Sequence, residues 1–223
     1  LFTIPIKDTI MGGNPPFFIV ILWSGNFPLA DETVDSMVQR LKSIDKTREN
    51  IIYTSYFIAN PHRPEGILAP VYEKIIKAAT IDLGLHHRSQ YKIPFWMQVY
   101  DSHVESEHGY HDHFDVDTQL SWVHFVRPTK EKRFCFVDSN NKTTFPEEQK
   151  PGDFILFPSW APHKVESNLS GEERVIIAGN VMFSALDLIE PNSNYMIKSC
   201  RRHNVEEVNN GQTLHLWQTN DYE

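Results

Sequence analysis

The second half of the chain is a series of short β-rich segments separated by polar turns. From Ile93 onward, aromatic and β-branched residues recur in runs too short for helices, and Asp138–Asn141 and Lys150–Asp153 supply turn residues between them. This spacing is typical of a sandwich or barrel and not of alternating strand and helix units. The candidate strands are Phe95–Tyr100, Leu120–Val126, Arg133–Val137, Phe154–Phe157 and Arg174–Phe183.

The first half has a different pattern, with one predicted strand followed by helices. The apolar run Phe17–Trp23 predicts a buried strand, and Gly25–Ala30 predicts a turn. Asp31 can then cap a helix from about Glu32 to Ser43, because Asp is a favoured N-cap residue. Apolar residues recur in this helix at helical spacing and predict one core face: Val34, Met37, Val38 and Leu41.

A second helix is predicted after the Pro61–Pro64 break and ends near Leu83. Its expected core face consists of Leu68, Val71, Ile75, Ile76 and Ala79. We therefore expect one domain over residues 1–223, with helical support at about 31–88 and a core barrel at about 93–185. Beyond Leu186 the chain is polar, with one possible strand at Thr213–Trp217.

Charge and cysteine content exclude several classes of protein. The chain has 21 Lys and Arg against 29 Asp and Glu, a net charge of -8, which argues against nucleic acid or anionic lipid as a partner. The longest apolar run is too short to span a membrane, and the start lacks the features of a signal peptide. Two cysteines, Cys135 and Cys200, fit a reducing compartment, so we predict an intracellular, cytoplasmic protein.

Three histidines and two aspartates crowd the segment from Glu107 to Asp115, and this is the richest source of metal ligands in the chain. In an extended chain, side chains two residues apart point to the same face, so His113 can pair with either Asp115 or His111. His163 supplies a further ligand directly after a predicted buried strand. Two imidazoles and a carboxylate on one side of an ion leave positions open for cosubstrate and dioxygen, as non-haem Fe(II) oxygenases require.

Arg174 is the second indication of a binding site. It lies eleven residues after His163, at the start of an otherwise apolar strand. A guanidinium there can bind the distal carboxylate of an organic acid in bidentate fashion while the other end of the acid chelates the metal. The alternative is an ordinary surface ion pair with Glu172 or Glu173, which would contribute little.

With these motifs the sequence resembles the 2-oxoglutarate/Fe(II)-dependent oxygenase superfamily, especially a small branch encoded by bacteria and bacteriophages. The similarity covers roughly the C-terminal half of the chain. Asp115 stands where this branch often has a second histidine, which matches the general His-x-Asp pattern of the superfamily. Trp122 replaces a customary glycine, which predicts a narrower pocket beside the metal. The matching blocks are His113–Asp115, Leu120–Phe125, Gly152–Trp160, His163–Val165 and Arg174–Asn180.

The resemblance implies a mainly β fold with flanking helices, a double-stranded β-helix (a jelly-roll, cupin-like barrel) whose mouth holds iron. It implies that His113, Asp115 and His163 hold Fe(II) and that Arg174 binds the C5 carboxylate of 2-oxoglutarate. The implied reaction couples decarboxylation of 2-oxoglutarate, with dioxygen, to hydroxylation of a C–H bond in an unidentified substrate. Three polar strand residues can face the pocket and bind 2-oxoglutarate or substrate: Gln98, Ser121 and Asn180.

Other functions remain open at this point, because jelly rolls serve several of them. One is a non-catalytic binding module, such as a virion component, and another is a cupin-like metalloenzyme without 2-oxoglutarate. The superfamily implies no particular substrate, and a prolyl or other protein side chain is expected by analogy only. Strand edges in the polar tail are compatible with a homodimer, and a phage-encoded protein would work in the host cytoplasm.

Overall fold

The structure is a computed structural model that describes residues 21–45, 52–85, 91–102, 108–113, 118–167 and 170–183. Within these residues it has two α-helices, α1 (Asp31–Ile44) and α2 (Ala69–Asp82), with 3-10 turns at Asn60–His62 and Pro64–Leu68. The strands are β1 (Trp23–Asn26), β2 (Ile52–Thr54), β3 (Tyr91–Lys92), β4 (Phe95–Tyr100), β5 (His108–His111), β6 (Thr118–Arg127), β7 (Phe134–Val137), β8 (Thr143–Thr144), β9 (Asp153–Pro158), β10 (His163–Val165) and β11 (Arg174–Phe183).

The strands form two antiparallel sheets. The larger has the order β1-β9-β6-β11-β4-β2, with β3 also paired to β11, and the smaller has the order β5-β10-β7-β8. From β5 to β11 the chain passes back and forth between the two sheets, with β7 and β8 adjacent in the smaller one, so the sheets form the two walls of a jelly-roll barrel. The mainly β jelly-roll fold with flanking helices, predicted from the sequence, is therefore confirmed.

The larger sheet has two apolar faces, because side chains alternate along each strand. Its outer face packs against the two helices. The predicted core residues of α1 are all buried there: Val34, Met37, Val38 and Leu41. Its inner face packs inside the barrel against Phe134 of the smaller sheet. The main inner-face residues of the larger sheet are Tyr100, Val123, Phe125, Ile155, Phe157 and Ile176.

The helices differ from prediction at two residues. Asp31 is the first residue of α1, and the N-cap position belongs to Ala30, which provides no side-chain hydrogen bond. In α2, Val71 is 39% exposed and Tyr72 is buried in its place. The Tyr72 ring packs on the outer face of the sheet, where its hydroxyl also meets the ring nitrogen Nδ1 of His124 at 2.8 Å.

The long strands β4 and β11 have the predicted bounds, and β6, β7 and β9 agree to within two residues. The first strand does not: β1 begins at Trp23 and continues into the residues predicted to be a turn, while residues 17–20 lie outside the described part. The short strands β5 and β10 were missed because they carry the polar ligand segments. The possible strand Thr213–Trp217, and with it the tail proposed to support a dimer, also lies outside the described residues.

Trp122 lies on the outer face of the larger sheet, which makes the prediction of a narrowed metal pocket wrong. Its ring stacks on Phe154 at 5.1 Å and lies 4.6 Å from the Tyr72 ring, on the helix side. Its neighbour across the strands is Gly179, and a Cβ at that position would stand 2.5 Å from the indole. The glycine is therefore needed to seat the tryptophan in the outer core.

Cys135 is a free, buried thiol, and Cys200 lies outside the described residues. Among the described helices, none has the length and apolar character needed to span a membrane.

Candidate metal centre

Three histidines meet at the edge of the smaller sheet. His111 ends β5, His163 begins β10, and the two are direct partners in the antiparallel pairing. His113 follows β5, and its backbone N–H donates to the carbonyl of Ser159 at 2.9 Å, which ties this segment to the turn before β10. One ring nitrogen of each of the three histidines lies within 4.8 Å of the other two. This spacing is small enough for one metal ion to be held by all three.

Backbone carbonyls fix the orientation of two of these rings. His111 Nδ1 lies 2.7 Å from the carbonyl oxygen of Gly109, and His163 Nδ1 lies 2.9 Å from that of Ala161. A carbonyl can only accept, so each Nδ1 carries the proton and donates it. In the neutral imidazole, Nε2 is then left with a lone pair for a metal, which is the usual arrangement behind a metal-binding histidine.

Burial keeps the rings of His113 and His163 neutral, as metal ligation requires. Burial, reinforced by the neighbouring His111, lowers the pKa of His163 to about 3 and that of His113 to about 4. Both rings are therefore neutral near pH 7 and their lone pairs are available. The site combines a fixed tautomer with unprotonated donors.

The structure brings together two of the three predicted iron ligands, His113 and His163. The third, Asp115, lies outside the described residues. His111, which the sequence left as an alternative, contributes its ring to the cluster. His108 stacks on the His111 ring with centroids 4.4 Å apart. No spacing rule indicated His108, because its position depends on the register shift in the pairing of β5 with β10.

Arg174 is buried inside the barrel, and this excludes the surface ion pair considered above. Its side chain is 1% exposed, and its Nη1 and Nη2 atoms have no hydrogen-bond partner among the described residues. The guanidinium lies 4.8 Å from the centre of the Tyr100 ring, its neighbour on β4. Burial lowers the pKa of Arg174, an effect that Tyr100 partly offsets. A buried cation without a counter-ion is costly, so the site is suited to an anionic ligand.

The predicted pocket residue Gln98 links the arginine to the histidines. Gln98 accepts a hydrogen bond from the Tyr100 hydroxyl at 3.0 Å, and its amide nitrogen lies 3.4 Å from His108 Nδ1. Because side chains two residues apart share a face of a strand, Gln98 and Tyr100 both point into the barrel. A polar path therefore runs from beside Arg174 to the histidine cluster, and Tyr100 and His108 are the members that sequence reasoning missed.

Ser121 and Asn180 lie opposite each other on β6 and β11. The Ser121 hydroxyl donates to Asn180 Oδ1 at 2.9 Å. Asn180 lies six residues from Arg174 along β11 and so shares its inner face. The structure thus gives these two predicted pocket residues a direct bond to each other.

The inner-face residues fit the iron and 2-oxoglutarate that the resemblance in sequence implies. Soft-to-borderline imidazole donors suit Fe(II), and a bidentate arginine suits a carboxylate. Without such ligands, the imidazole rings and the guanidinium would be polar groups buried unfavourably in the barrel interior.

Comparison with known proteins agrees with this chemistry. Residues 103–180 match the family described as "Putative 2OG-Fe(II) oxygenase". No curated protein matches the chain. Among solved structures, an oxidoreductase of the 2OG-Fe(II) oxygenase family from Burkholderia pseudomallei is 15% identical, with a TM-score of 0.50, covering 68% of this chain and 76% of its own.

Two further structures share the fold. A prolyl hydroxylase from Trichoplax adhaerens, in complex with a peptide fragment of the hypoxia inducible factor oxygen degradation domain, is 12% identical with a TM-score of 0.51. The match covers 74% of this chain and 84% of that one. AviO1 from Streptomyces viridochromogenes Tue57 is 10% identical, with a TM-score of 0.53 and coverage of 73% and 89%. Residues 103–180 thus match the 2OG-Fe(II) oxygenase family model, and the solved structures share the jelly-roll fold of this chain.

Proposed function

We propose that the chain couples oxidative decarboxylation of 2-oxoglutarate to hydroxylation of a protein side chain, with proline as the favoured target. In this proposal His113, Asp115 and His163 hold Fe(II), as the sequence predicts. The short distances among the described histidines and the fixed Nε2 lone pair of His163 support this assignment. His111 then lies beside the metal and is the competing third ligand.

Each residue has a distinct task in this site. When bound, Fe(II) would supply the activation of dioxygen that the decarboxylation requires. Arg174 binds the C5 carboxylate of 2-oxoglutarate, and the Tyr100 ring beside it holds the guanidinium in place. The aromatic residues of the barrel interior, such as Phe134 and Phe157, exclude water from the reacting atoms.

The observation that carries the proposal is the buried guanidinium of Arg174, whose Nη1 and Nη2 atoms have no hydrogen-bond partner among the described residues. A cupin-like metalloenzyme without an oxo-acid cosubstrate, or a non-catalytic module, would gain nothing from a charge that lacks a partner inside its barrel. A dicarboxylate would supply an anionic partner for Arg174 inside the barrel.

The decisive measurement is anaerobic addition of Fe(II) and 2-oxoglutarate, followed by the weak visible charge-transfer band of the chelate. We expect the band in the unmodified protein and its loss in Asp115→Ala and His163→Ala variants. His111→Ala is the matched control, which should keep the band. No band in the unmodified protein would refute the proposed function, while loss in His111→Ala and retention in Asp115→Ala would assign the third ligand to His111.

A protein side chain is proposed as the target on two grounds. The Trichoplax protein of the same fold is a prolyl hydroxylase crystallised with a peptide fragment. The net charge of -8 also disfavours a nucleic acid target. The single domain, the cytoplasmic location and the bacterial or bacteriophage branch remain predictions from the sequence.

A further inference from the structure

A row of aromatic rings leads from the histidine cluster to solvent. The Trp96 ring lies 5.8 Å from that of His113, the Tyr56 ring lies 5.1 Å from Trp96, and the Phe57 ring lies 5.0 Å from Tyr56. Trp96 is 6% exposed, whereas Tyr56 is 53% and Phe57 73% exposed. The row thus begins against a candidate ligand of the metal and ends on the surface.

Trp96 belongs to the inner wall of the site. It precedes Gln98 and Tyr100 at intervals of two residues on β4, so all three side chains emerge on the same face. Gln98 and Tyr100 belong to the polar path beside Arg174, and Trp96 continues that wall towards the barrel mouth. A substrate that reaches the metal past Trp96 therefore also passes Tyr56 and Phe57.

The loop that carries Tyr56 and Phe57 is held rigidly by one arginine. Arg63 donates from Nε to the carbonyl of Ile58 at 2.7 Å and from its two terminal nitrogens to the carbonyls of Phe95 and Tyr56, at 2.6 and 3.0 Å. Its bond to Phe95 fastens the loop to β4 next to Trp96. Exposed aromatic rings on a fixed loop are pre-organised for binding, because little further conformational entropy is lost when a ligand arrives.

The chemistry of the row selects a neutral and apolar ligand. The five residues 55–59 contain no charged side chain, and the Arg63 guanidinium donates its hydrogen bonds to backbone carbonyls. A phosphate backbone would need free cations at this surface. Both ring pairs of the row are edge-to-face, with interplanar angles of 82° and 89°. A row of aromatic rings of this kind suits the extended polyproline helix, which is already ordered before it binds.

We propose that Tyr56, Phe57 and Trp96 form a substrate platform that binds an extended, proline-containing polypeptide and delivers one of its residues to the metal. The inference rests on the proposed function and assigns to it three binding residues and a substrate conformation. The rings hold the residues that flank the target, and the target side chain reaches the metal beyond Trp96.

The test measures binding of a fluorescein-labelled ten-residue poly-L-proline peptide to the full chain, kept anaerobic with Fe(II) and 2-oxoglutarate. The comparison peptide is a labelled Ser-Gly repeat of the same length. We expect fluorescence anisotropy to give a Kd for poly-L-proline at least tenfold below that for the Ser-Gly peptide. The double variant Tyr56→Ala/Phe57→Ala should remove that difference.

The matched control is Ile67→Ala, which truncates a side chain that is 64% exposed but is not part of the aromatic row. It should bind poly-L-proline as the unmodified protein does. The chelate band should persist in all of these proteins, and thermal unfolding should show that the double variant is folded.

The outcomes separate the two proposals. Equal Kd values for the two peptides, or an unchanged Kd in the double variant with the band intact, would overturn the platform and leave the proposed function standing. Absence of the band from the unmodified protein would refute the proposed function, whatever the peptides do.

Discussion

Replacing Arg174 by methionine should make the protein more stable while removing its response to 2-oxoglutarate. In the unmodified protein the guanidinium is 1% exposed and has no hydrogen-bond partner at Nη1 or Nη2 among the described residues. Among the described residues, the Tyr100 ring offsets part of the cost of burying this charge. The guanidinium lies 4.8 Å from the centre of that ring, an interaction of about 0.5 to 2 kcal/mol. The effective cost of removing such an ion from water is several kcal/mol.

Without a ligand, burying the charge therefore costs more than the Tyr100 interaction returns. Methionine fills a similar volume without the charge. We expect Arg174→Met to raise the free energy of unfolding by about 1 to 3 kcal/mol, by analogy with buried charges replaced by apolar residues. For a chain of this size each kcal/mol changes the Tm by about 2 to 4 °C. Adding 2-oxoglutarate at about one hundred times its Kd should stabilise the unmodified protein by about 2.7 kcal/mol.

Thermal unfolding measured anaerobically with Fe(II), with and without 2-oxoglutarate, tests both parts. Arg174→Met should start at a higher Tm and show little increase on adding 2-oxoglutarate. Arg127→Met is the control, because that side chain is ion-paired with Asp35 and Glu173 at the surface and should leave the ligand effect unchanged. A less stable Arg174→Met protein that still gains the full ligand increment would refute the reasoning.

Two further predictions concern the outer face of the larger sheet. His124 donates from Nε2 to the carbonyl of Phe27 at 3.0 Å, and burial lowers its pKa to about 4. The stability that neutral His124 gives to the folded protein is complete above 6.5, its pKa in the unfolded chain. This stability is lost as the pH falls towards 4. Urea unfolding should therefore show about 2 kcal/mol more loss between pH 7 and pH 5 in the unmodified protein than in His124→Gln, and equal losses would contradict this. Gly179→Ala should cost about 1 to 3 kcal/mol, because its Cβ would meet Trp122, whereas Gly109→Ala, with nothing within 4 Å, should be neutral in the same assay.

The sequence predicted well the parts of the fold that depend on local periodicity. The long strands β4 and β11 and the core face of α1 follow from alternation at two residues or from helical spacing, and both were located correctly. Shorter elements were missed where candidate metal ligands replace apolar residues, as in His108–His111 and His163–Val165. Propensity has little to act on in strands of three or four polar residues, which are held by pairing with distant segments.

The sequence also indicated part of the candidate site. Motif spacing indicated His113, His163 and Arg174, and the structure places the two histidines together and buries the arginine. Spacing could not show that Tyr100 would lie beside Arg174, because that contact depends on the register between β4 and β11. The comparison of Trp122 with the customary glycine of the family assigned this residue to the wrong side of the sheet, since the face of a strand residue is set by its neighbours in three dimensions.

The regular pairing of β11 with β4 limits the changes in length that these strands can accept. Arg174 and Asn180 are separated by an even number of positions, and so are Trp96, Gln98 and Tyr100 on β4. Deleting a single residue between the members of either set would turn one of them towards the helices. The inward orientation of these side chains thus depends on the parity of their spacing, so a single-residue insertion or deletion within either strand should disrupt the site, whereas one in a connection between strands leaves that parity intact.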